Sequence, residues 1–289
     1  MMEIQDFKSV LKDYQVIFFD AFGVLRTYKG MVPGIKETFN WLEAQEKQFY
    51  IITNDASRSP ELLVETYAKA GLMQITPDRI ISSGMLAKEF LDLKVKTGLV
   101  AYLGTENSAH YIQHPGLQTV PLSEINEENI EDVTALVLLD DEGFDWFEGL
   151  NKAVNLLRRR TIPAILANAD GAYPVSGTEM SIAIGGLGWM IEKLVGKKLI
   201  RFGKPDSQIF MFALEKVVRQ NPAITKRDIL MVGDTLQTDI VGANKFGLDT
   251  VLVLSGNVLP KDAIGAISST GISPTYICNS AVIEADSGH

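Results

Sequence analysis

Five side chains in this sequence could do chemistry as a set, namely Asp20, Thr53, Lys204, Asp234 and Asp239. Carboxylate oxygens such as those of Asp20 and Asp234 are ligands that Mg²⁺ prefers in proteins. A carboxylate like Asp20 can also act as a nucleophile and form an aspartyl-phosphate, and Mg²⁺ would offset its repulsion from a phosphoryl group. Lys204 would supply positive charge for the transferring group. The set therefore indicates phosphoryl transfer with Mg²⁺ as cofactor.

Each member of the set also has an ordinary structural explanation. Asp20 could belong to an Asx-type turn, and Gly233-Asp234-Thr235 could be a turn with a helix N-cap. A single lysine is usually a solvated surface residue. The combination favours the chemical interpretation, because the hydroxyl of Thr53 and the backbone of Asn54 would complete the set by holding phosphate oxygens.

Three apolar segments, far apart in sequence, must position these side chains. The run Val16-Ile17-Phe18-Phe19 leads straight into Asp20 without polar alternation, which is typical of a central parallel strand buried on both faces. A second run at 48–52 ends at Thr53, and a third at 228–232 ends at Gly233-Asp234. Ligands of open α/β sheets bind at the carboxyl ends of the strands. We therefore expect these residues to share one edge of a sheet.

Strand-like runs alternate with helical patterns along the chain, which predicts an α/β fold with a parallel sheet. Helices are predicted over about 3–13, 60–70 and 144–160, and after the prolines at 33 and 205. The acidic loop 140–144 is a candidate lid, but we favour its interpretation as a solvated lead-in to a helix. Further strands are predicted at 80–83, 99–104, 117–120, 135–139, 163–167, 250–254 and 276–278.

Composition narrows the class of protein. The 289 residues carry a net charge of −9 without a basic run, which argues against nucleic acid or an anionic membrane surface as a partner. One cysteine excludes an intrachain disulfide. The start of the sequence lacks the features of a signal peptide, and no apolar run is long enough for a membrane span. We expect a cytoplasmic protein.

At this point the chain resembles the haloacid dehalogenase-like superfamily. That family carries a DxDG[VT] motif, a strand-terminal Ser or Thr, a distant Lys and a GDxxxTD motif, in this order. The corresponding stretches here are Asp20-Ala21-Phe22-Gly23-Val24, Thr53-Asn54, Gly203-Lys204-Pro205 and Gly233-Asp234-Thr235-Leu236-Gln237-Thr238-Asp239. The resemblance spans nearly the whole chain.

The segment between the second and third motifs resembles the large α/β cap of the class IIA branch, which includes the NagD-like and 4-nitrophenyl phosphatases. The resemblance implies a doubly wound, Rossmann-like core formed by 1–84 and 199–289, with an inserted α/β cap domain at 85–198. Asn168-Ala169-Asp170 is similar to a stretch of that cap, which makes Asn168 and Asp170 candidates for substrate contacts. The resemblance to this branch further implies a small phosphorylated metabolite as substrate. It also implies a homodimer formed through the cap.

One departure from the family pattern affects the predicted activity. Phe22 stands where the family's phosphatases have a second aspartate, the general acid and base. The family's metal ligand at that position is the backbone carbonyl, so Mg²⁺ could still be held by Asp20, the Phe22 carbonyl, Asp234 and Asp239. Acid–base help is typically worth about 10²–10⁴-fold in rate, so its loss would weaken a phosphohydrolase unless the substrate or another residue supplied the proton.

Phe22 therefore leaves three hypotheses. The first is a Mg²⁺-dependent phosphohydrolase acting through an aspartyl-phosphate on Asp20. The second is a catalytically poor protein that binds a phosphorylated ligand or a partner. The third is a metal-independent dehalogenase, since superfamily dehalogenases also have an aromatic residue at this position, although Asp234 with Asp239 argues for a metal.

Overall fold

The computed structural model describes residues 3–258 and 260–284. Within this part, the chain divides into two compact units. The first unit contains residues up to 53, 63–81 and those from 204 onward, and the second contains 54–62 and 82–203. In sequence, most of the second unit is thus an insertion into the first. The domain limits 1–84, 85–198 and 199–289 stay a prediction.

The strands follow the apolar runs closely. They are β1 (Val16–Phe19), β2 (Arg26–Thr27), β3 (Gly30–Met31), β4 (Gln48–Thr53), β5 (Ile80–Ser82), β6 (Gly98–Leu103), β7 (Leu117–Pro121), β8 (Val133–Leu138), β9 (Ala164–Leu166), β10 (Ala172–Pro174), β11 (Met180–Ile182), β12 (Ile200–Arg201), β13 (Ile229–Gly233), β14 (Asp249–Val253) and β15 (Tyr276–Cys278).

The helices alternate with these strands. They are α1 (Phe7–Leu11), α2 (Ile35–Ala44), α3 (Pro60–Lys69), α4 (Ser83–Phe90), α5 (Trp146–Arg159), α6 (Ile184–Val195), α7 (Ser207–Gln220), α8 (Val241–Phe246) and α9 (Ala263–Thr270). None of the helices in the described ranges is both long and apolar enough to cross a bilayer.

The first unit is built on a six-stranded sheet in the order β15-β14-β13-β1-β4-β5. Strand β1 lies at its centre and pairs in parallel with both β13 and β4. All four of its side chains are fully buried, as the uninterrupted apolar run predicted. A strand buried on both faces requires cover on both sides, and the side chains of β1 and β4 show which helices provide it.

Helices cover both faces of this sheet. On one face, Ile17 and Phe19 share a core cluster with Phe7 of α1 and Phe39 of α2. On the other face, the ring of Phe18 meets that of Tyr50 edge-on at 6.1 Å between centroids, and the Tyr50 hydroxyl donates to Gln220 at the end of α7 (2.7 Å). The unit is therefore the predicted α/β core, a doubly wound and Rossmann-like parallel sheet.

The second unit has its own five-stranded parallel sheet in the order β12-β9-β8-β6-β7. Helices α5 and α6 bury apolar side chains in its core, among them Leu157 and Ile191. Strand β12 pairs with β9 and was not predicted, because two residues give too short a pattern. A short hairpin of β10 and β11 was also not predicted.

The first predicted helix is shorter than the pattern over 3–13 suggested. Asp6 caps α1 by accepting a hydrogen bond from the Ser9 N–H at 2.8 Å. Ile4, before the cap, forms an isolated parallel bridge with Ile277. Residue 4 is therefore extended, because it adds to the sheet edge at β15 instead of continuing the helix.

Candidate active site

The carboxyl ends of β1, β13 and β4 bring the predicted site residues of the first unit to one edge of the sheet. Phe19 is in register with Val232 of β13 and with Ile51 of β4. The Asp20 N–H then donates to the Val232 carbonyl at 2.8 Å, which continues the ladder by one residue. Asp20, Asp234 and Thr53 consequently follow or end three neighbouring strands, as the sequence predicted.

Lys204 connects two of the three carboxylates. Its Nζ donates to Asp20 Oδ1 at 2.5 Å and forms an ion pair with Asp239 Oδ1 at 2.7 Å. The lysine is 2% exposed and Asp239 is 1% exposed. Burial would lower the pKa of Lys204, but the charges of Asp20 and Asp239 outweigh burial and raise that pKa above its usual value. Lys204 is therefore a buried, permanently charged ammonium.

Asp234 is held by hydrogen bonds to both of its oxygens. The Thr235 hydroxyl donates to Oδ1 at 3.0 Å, and the backbone N–H of Asn257 donates to Oδ2 at 2.6 Å. Burial, and next the charge of Asp239, raise the pKa of Asp234 to about 7 in spite of these donors. In Asp20, burial and the charge of Asp239 likewise raise the pKa well above its usual range, against the opposing charge of Lys204.

Gly23 lets the turn after β1 approach Asp234. Its φ is +86°, and a Cβ built on it would lie 2.0 Å from Asp234 Oδ2. Any side chain at this position would therefore be strained by the backbone and would also collide with the carboxylate.

The donor set of this cluster fits a small divalent cation. Oxygens of Asp20, Asp234 and Asp239 all lie within 4.8 Å of one another, and two of the three residues are buried. Three carboxylates face one ammonium, so the cluster lacks positive charge when all three are ionised. Buried charges of this kind are costly unless a cation compensates them, and hard oxygen ligands suit Mg²⁺.

Phe22 lies in the turn between Asp20 and β2. It forms an isolated bridge with Arg26, and its partly exposed ring lies 6.0 Å from the Arg26 guanidinium carbon. The phenyl ring of Phe22 has no ionisable proton. Phe22 therefore cannot replace the acid that the family pattern places at this position.

The second unit contains the other predicted residues. The side-chain amide of Asn54 donates to Asp170 Oδ1 at 2.9 Å, and the Asn54 carbonyl accepts from Ser83 Oγ at 2.8 Å. Asn168 Oδ1 accepts the backbone N–H of Asp170 at 2.9 Å. The pair Asn168 and Asp170 thus forms a turn whose carboxylate holds Asn54, a contact that the sequence pattern did not predict.

Three further residues that sequence reasoning missed touch the site. Ser255, Gly256 and Asn257 follow β14 and contact Gly23 and Asp234. The Ser-Gly-Asn composition signals a loop after a strand. It could not indicate which side chains that loop reaches, because those contacts depend on the order of the strands in the sheet.

Two family models match this chain. One, described as haloacid dehalogenase-like hydrolase, matches residues 17–118, and the other, described as HAD-hydrolase-like, matches residues 201–282. The matched segments contain Asp20 and Thr53 in the first case and Lys204, Asp234 and Asp239 in the second.

Three known proteins illustrate the likeness. The crystal structure of a possible sugar phosphatase of the HAD superfamily from Cytophaga hutchinsonii is 61% identical, with a TM-score of 0.95 over 99% of this chain and 100% of the other. Human chronophin is 27% identical over 86% of this chain and 84% of its own.

A glycerol phosphate phosphatase from Mycobacterium tuberculosis, solved in complex with magnesium, is 23% identical and shares the fold with a TM-score of 0.76 over 96% of this chain and 78% of the other. The likeness to the Cytophaga hutchinsonii protein extends over nearly the full length of both chains at high identity. The chain therefore belongs to the haloacid dehalogenase-like superfamily of hydrolases.

Proposed function

We propose that this protein is a Mg²⁺-dependent phosphohydrolase of a small phosphorylated metabolite, acting through an aspartyl-phosphate on Asp20. The observation that carries the proposal is the cluster of Asp20, Asp234 and Asp239, in which Lys204 forms ion pairs with Asp20 and Asp239. Two relatives, a possible sugar phosphatase and a glycerol phosphate phosphatase, support this class of substrate, and the second was solved in complex with magnesium.

The side chains of Asp20, Asp234 and Asp239, with the backbone carbonyl of Phe22, would hold the cation. The chemistry that Mg²⁺ supplies when bound is neutralisation of the charge of the nucleophile and of the phosphoryl oxygens, so that two anions can approach. The donors from Thr235 and Asn257 keep the carboxylate of Asp234 in one orientation for this role.

Lys204 would orient the nucleophile and meet the substrate. Its ammonium already holds Asp20 Oδ1, so it restricts the carboxylate before substrate arrives and places positive charge where the phosphoryl oxygens must lie. The buried Thr53 hydroxyl and the backbone of Asn54, at the end of β4, would bind the remaining phosphate oxygens.

The reaction would have two steps. An oxygen of Asp20 attacks phosphorus, and the bond between phosphorus and the leaving oxygen breaks. Water then attacks the phosphorus of the aspartyl-phosphate, which releases inorganic phosphate and restores the carboxylate. The leaving oxygen needs a proton in the first step, and the water loses one in the second. Phe22 can do neither, so substrate or solvent would carry both protons, at a cost in rate.

The same observation favours a second candidate function. A site that keeps its nucleophile, lysine and metal ligands but has Phe22 in place of the acid could bind a phosphorylated ligand or a partner without turning it over. The dehalogenase hypothesis is disfavoured by the three-carboxylate cluster, because such a reaction needs no metal.

Phosphate release from 4-nitrophenyl phosphate, with Mg²⁺ or with EDTA, tests these alternatives. The leaving group of this activated ester needs little help from an acid, so the assay separates a working nucleophile from a missing acid. The variants are Asp20→Asn, Phe22→Asp, and Phe22→Leu as the matched control that changes the ring without adding a carboxyl group. Glycerol phosphate, an unactivated ester, is measured in parallel.

Mg²⁺-dependent release by the wild type that disappears in Asp20→Asn would support the phosphohydrolase. Phe22→Asp should then gain up to about 10²-fold on glycerol phosphate and little on the aryl ester, while Phe22→Leu should gain on neither. If the wild type releases no phosphate and Phe22→Asp does, the result would favour the binding function. If neither the wild type nor any variant releases phosphate from either ester, the site assignment would be contradicted.

A further inference from the structure

The loop Ser255–Asn257, after β14, contacts the two turns that carry Asp20 and Asp234. Ser255 Oγ donates to the carbonyl of Gly23 at 2.9 Å. Gly23 lies in the turn that follows β1 and Asp20. The backbone N–H of Asn257 donates to Asp234 Oδ2 at 2.6 Å. Strand β14 lies beside β13 in the sheet, which places this loop next to the turn of Asp234.

The side chain of Asn257 reaches the same carboxylate through Thr235. Its Nδ2 donates to Thr235 Oγ1 at 2.8 Å, and Thr235 Oγ1 donates to Asp234 Oδ1 at 3.0 Å. A hydroxyl has one proton, and the amide nitrogen of Asn257 only donates. The hydroxyl must therefore accept from Asn257 and direct its own proton to Asp234.

Gly256 leaves the space that this arrangement needs. A Cβ built on it would lie 2.0 Å from Asp234 Oδ2, and its φ is outside the left-handed region. The backbone conformation would therefore tolerate a side chain. The reason for glycine at this position is the closeness of the carboxylate.

We infer that Asn257 is a positioning residue for the metal ligand Asp234 and acts through Thr235. The absence of a side chain at Gly256 leaves the room that the carboxylate of Asp234 needs. This inference rests on the Mg²⁺ site of the proposed function. Asp234 is 1% exposed, so two donors on its two oxygens leave it a single orientation in which the remaining lone pairs can face a cation. Groups that orient a metal ligand in this way typically affect metal affinity by about 10–100-fold.

Calorimetric titration with Mg²⁺ tests the inference by measuring the dissociation constant for the metal alone. Asn257→Ala and Thr235→Val should each weaken Mg²⁺ binding, by about 10-fold or more. The double variant should bind Mg²⁺ no more weakly than Thr235→Val, because the two side chains act in series on one carboxylate oxygen and their effects should not add. Gly256→Ala should also weaken binding.

Two matched controls separate positioning from loss of structure. Asn244 accepts from the Thr250 hydroxyl at 3.1 Å and donates to the Ser273 carbonyl at 2.9 Å, so Asn244→Ala removes an equivalent Asn–Thr pair elsewhere in the first unit. Gly265 of α9 has no atom within 4 Å of a built Cβ. Asn244→Ala and Gly265→Ala should keep the wild-type dissociation constant, and thermal unfolding in EDTA reports the folding of every variant.

Unchanged Mg²⁺ affinity in folded Asn257→Ala would overturn the inference and leave the proposed function intact, because the wild type would still bind Mg²⁺ and release phosphate. Additive losses in the double variant would also overturn it, since Asn257 would then not act through Thr235. A wild type that neither binds Mg²⁺ nor releases phosphate would overturn the proposed function and this inference with it.

Discussion

At the scale of single residues, Lys204 compensates the charges of two carboxylates of the candidate site. It is buried between Asp20 and Asp239, and each of these carboxylates lies within 2.7 Å of its Nζ. Removing one partner of a buried ion pair is far more damaging than the pair is stabilising, because it leaves charge without compensation.

Lys204→Met should therefore lower both activity and stability. We expect a loss of at least about 10²-fold in kcat and of about 3 kcal/mol in the free energy of unfolding without Mg²⁺. Phosphate release and denaturant unfolding are the measurements. The matched control is Lys226→Met, because Lys226 donates to the Phe246 carbonyl and lies over the Phe246 ring. Equal activity of the two variants would contradict this role.

Asp140 is a residue for which the sequence interpretation was wrong. The loop 140–144 was expected to be solvated, and Glu142 and Gly143 are exposed, but Asp140, two residues after β8, is buried. Burial, followed by the charges of Asp141 and Asp55, raises the pKa of Asp140 to about 6. Asp140 was misjudged because the acidic composition of the loop is visible in sequence, whereas the fold around the end of the strand, which buries the first residue of the loop, is not.

Asp140→Asn should change how stability depends on pH. The raised pKa means that the folded chain favours protonated Asp140, so its contribution to stability is complete below about pH 4 and is lost as pH rises through about 6. The variant should be about 1 kcal/mol more stable than the wild type at pH 7.5, after allowance for solvent screening, and equal to it near pH 4. Denaturant unfolding at both pH values measures this.

Asp132→Asn, at an exposed position of the same unit, is the control for Asp140→Asn. A stability difference between wild type and Asp140→Asn that is the same at both pH values would contradict the assignment.

The positions of three predicted site residues could be derived from sequence because each combines a polar side chain with the end of an apolar strand. Asp20, Thr53 and Asp234 carry both signals. Asn257 carries neither, and its role depends on β14 lying next to β13. Sequence reasoning therefore indicated residues that the fold brings to one edge of the sheet, but it missed the loop residue that contacts Asp234.

At the scale of elements, the strands with strong apolar runs were predicted within about two residues of their observed ends. Strand β1 was predicted at 16–19 and β15 at 276–278, as observed. Burial on both faces leaves no polar residues inside such a strand, so the signal is continuous. Short strands such as β10 and β11 have three residues each. Three residues are too few to show an alternating hydrophobic pattern, so such strands cannot be distinguished from loops in the sequence.

Helix α5 was predicted at 144–160, and its first residue is set by Asp145. The Asp145 carboxylate accepts the N–H of Glu148 at 2.8 Å. Asp145→Ala should cost about 1 kcal/mol of stability, measured by denaturant unfolding. Asn155→Ala, at an exposed position inside the same helix, is the control and should cost nothing, because alanine is the better helix former. Equal stability of Asp145→Ala and the wild type would contradict the capping role.

At the scale of the whole molecule, the carboxylate cluster connects metal binding to stability. Three carboxylates around one ammonium repel one another in the metal-free protein, and any ligand that binds only the folded state stabilises it. The cluster should therefore make the first unit both less stable without a cation and responsive to one.

Asp234→Asn should raise the melting temperature in EDTA and remove most of the stabilisation by Mg²⁺. The asparagine retains an oxygen for the Asn257 N–H, so the loop contact can persist. For the wild type, Mg²⁺ at 100 times its dissociation constant should add about 2.7 kcal/mol. Thermal unfolding with and without Mg²⁺ measures both effects. Equal stabilisation of wild type and variant by Mg²⁺ would contradict a metal site at Asp234.

The central place of β1 also has a consequence for the order in which the chain becomes structured during synthesis. Phe19 pairs with Val232, so one side of β1 acquires its neighbour only after 213 more residues (232 minus 19) have been added. At about 5–20 residues per second, a ribosome needs roughly 10–40 s for this. Throughout that interval a fully apolar strand has an open hydrogen-bonding edge, which is the kind of surface that aggregates or that chaperones bind. Asp20, which follows β1, gains its hydrogen bond to the Val232 carbonyl only when β13 has been synthesised.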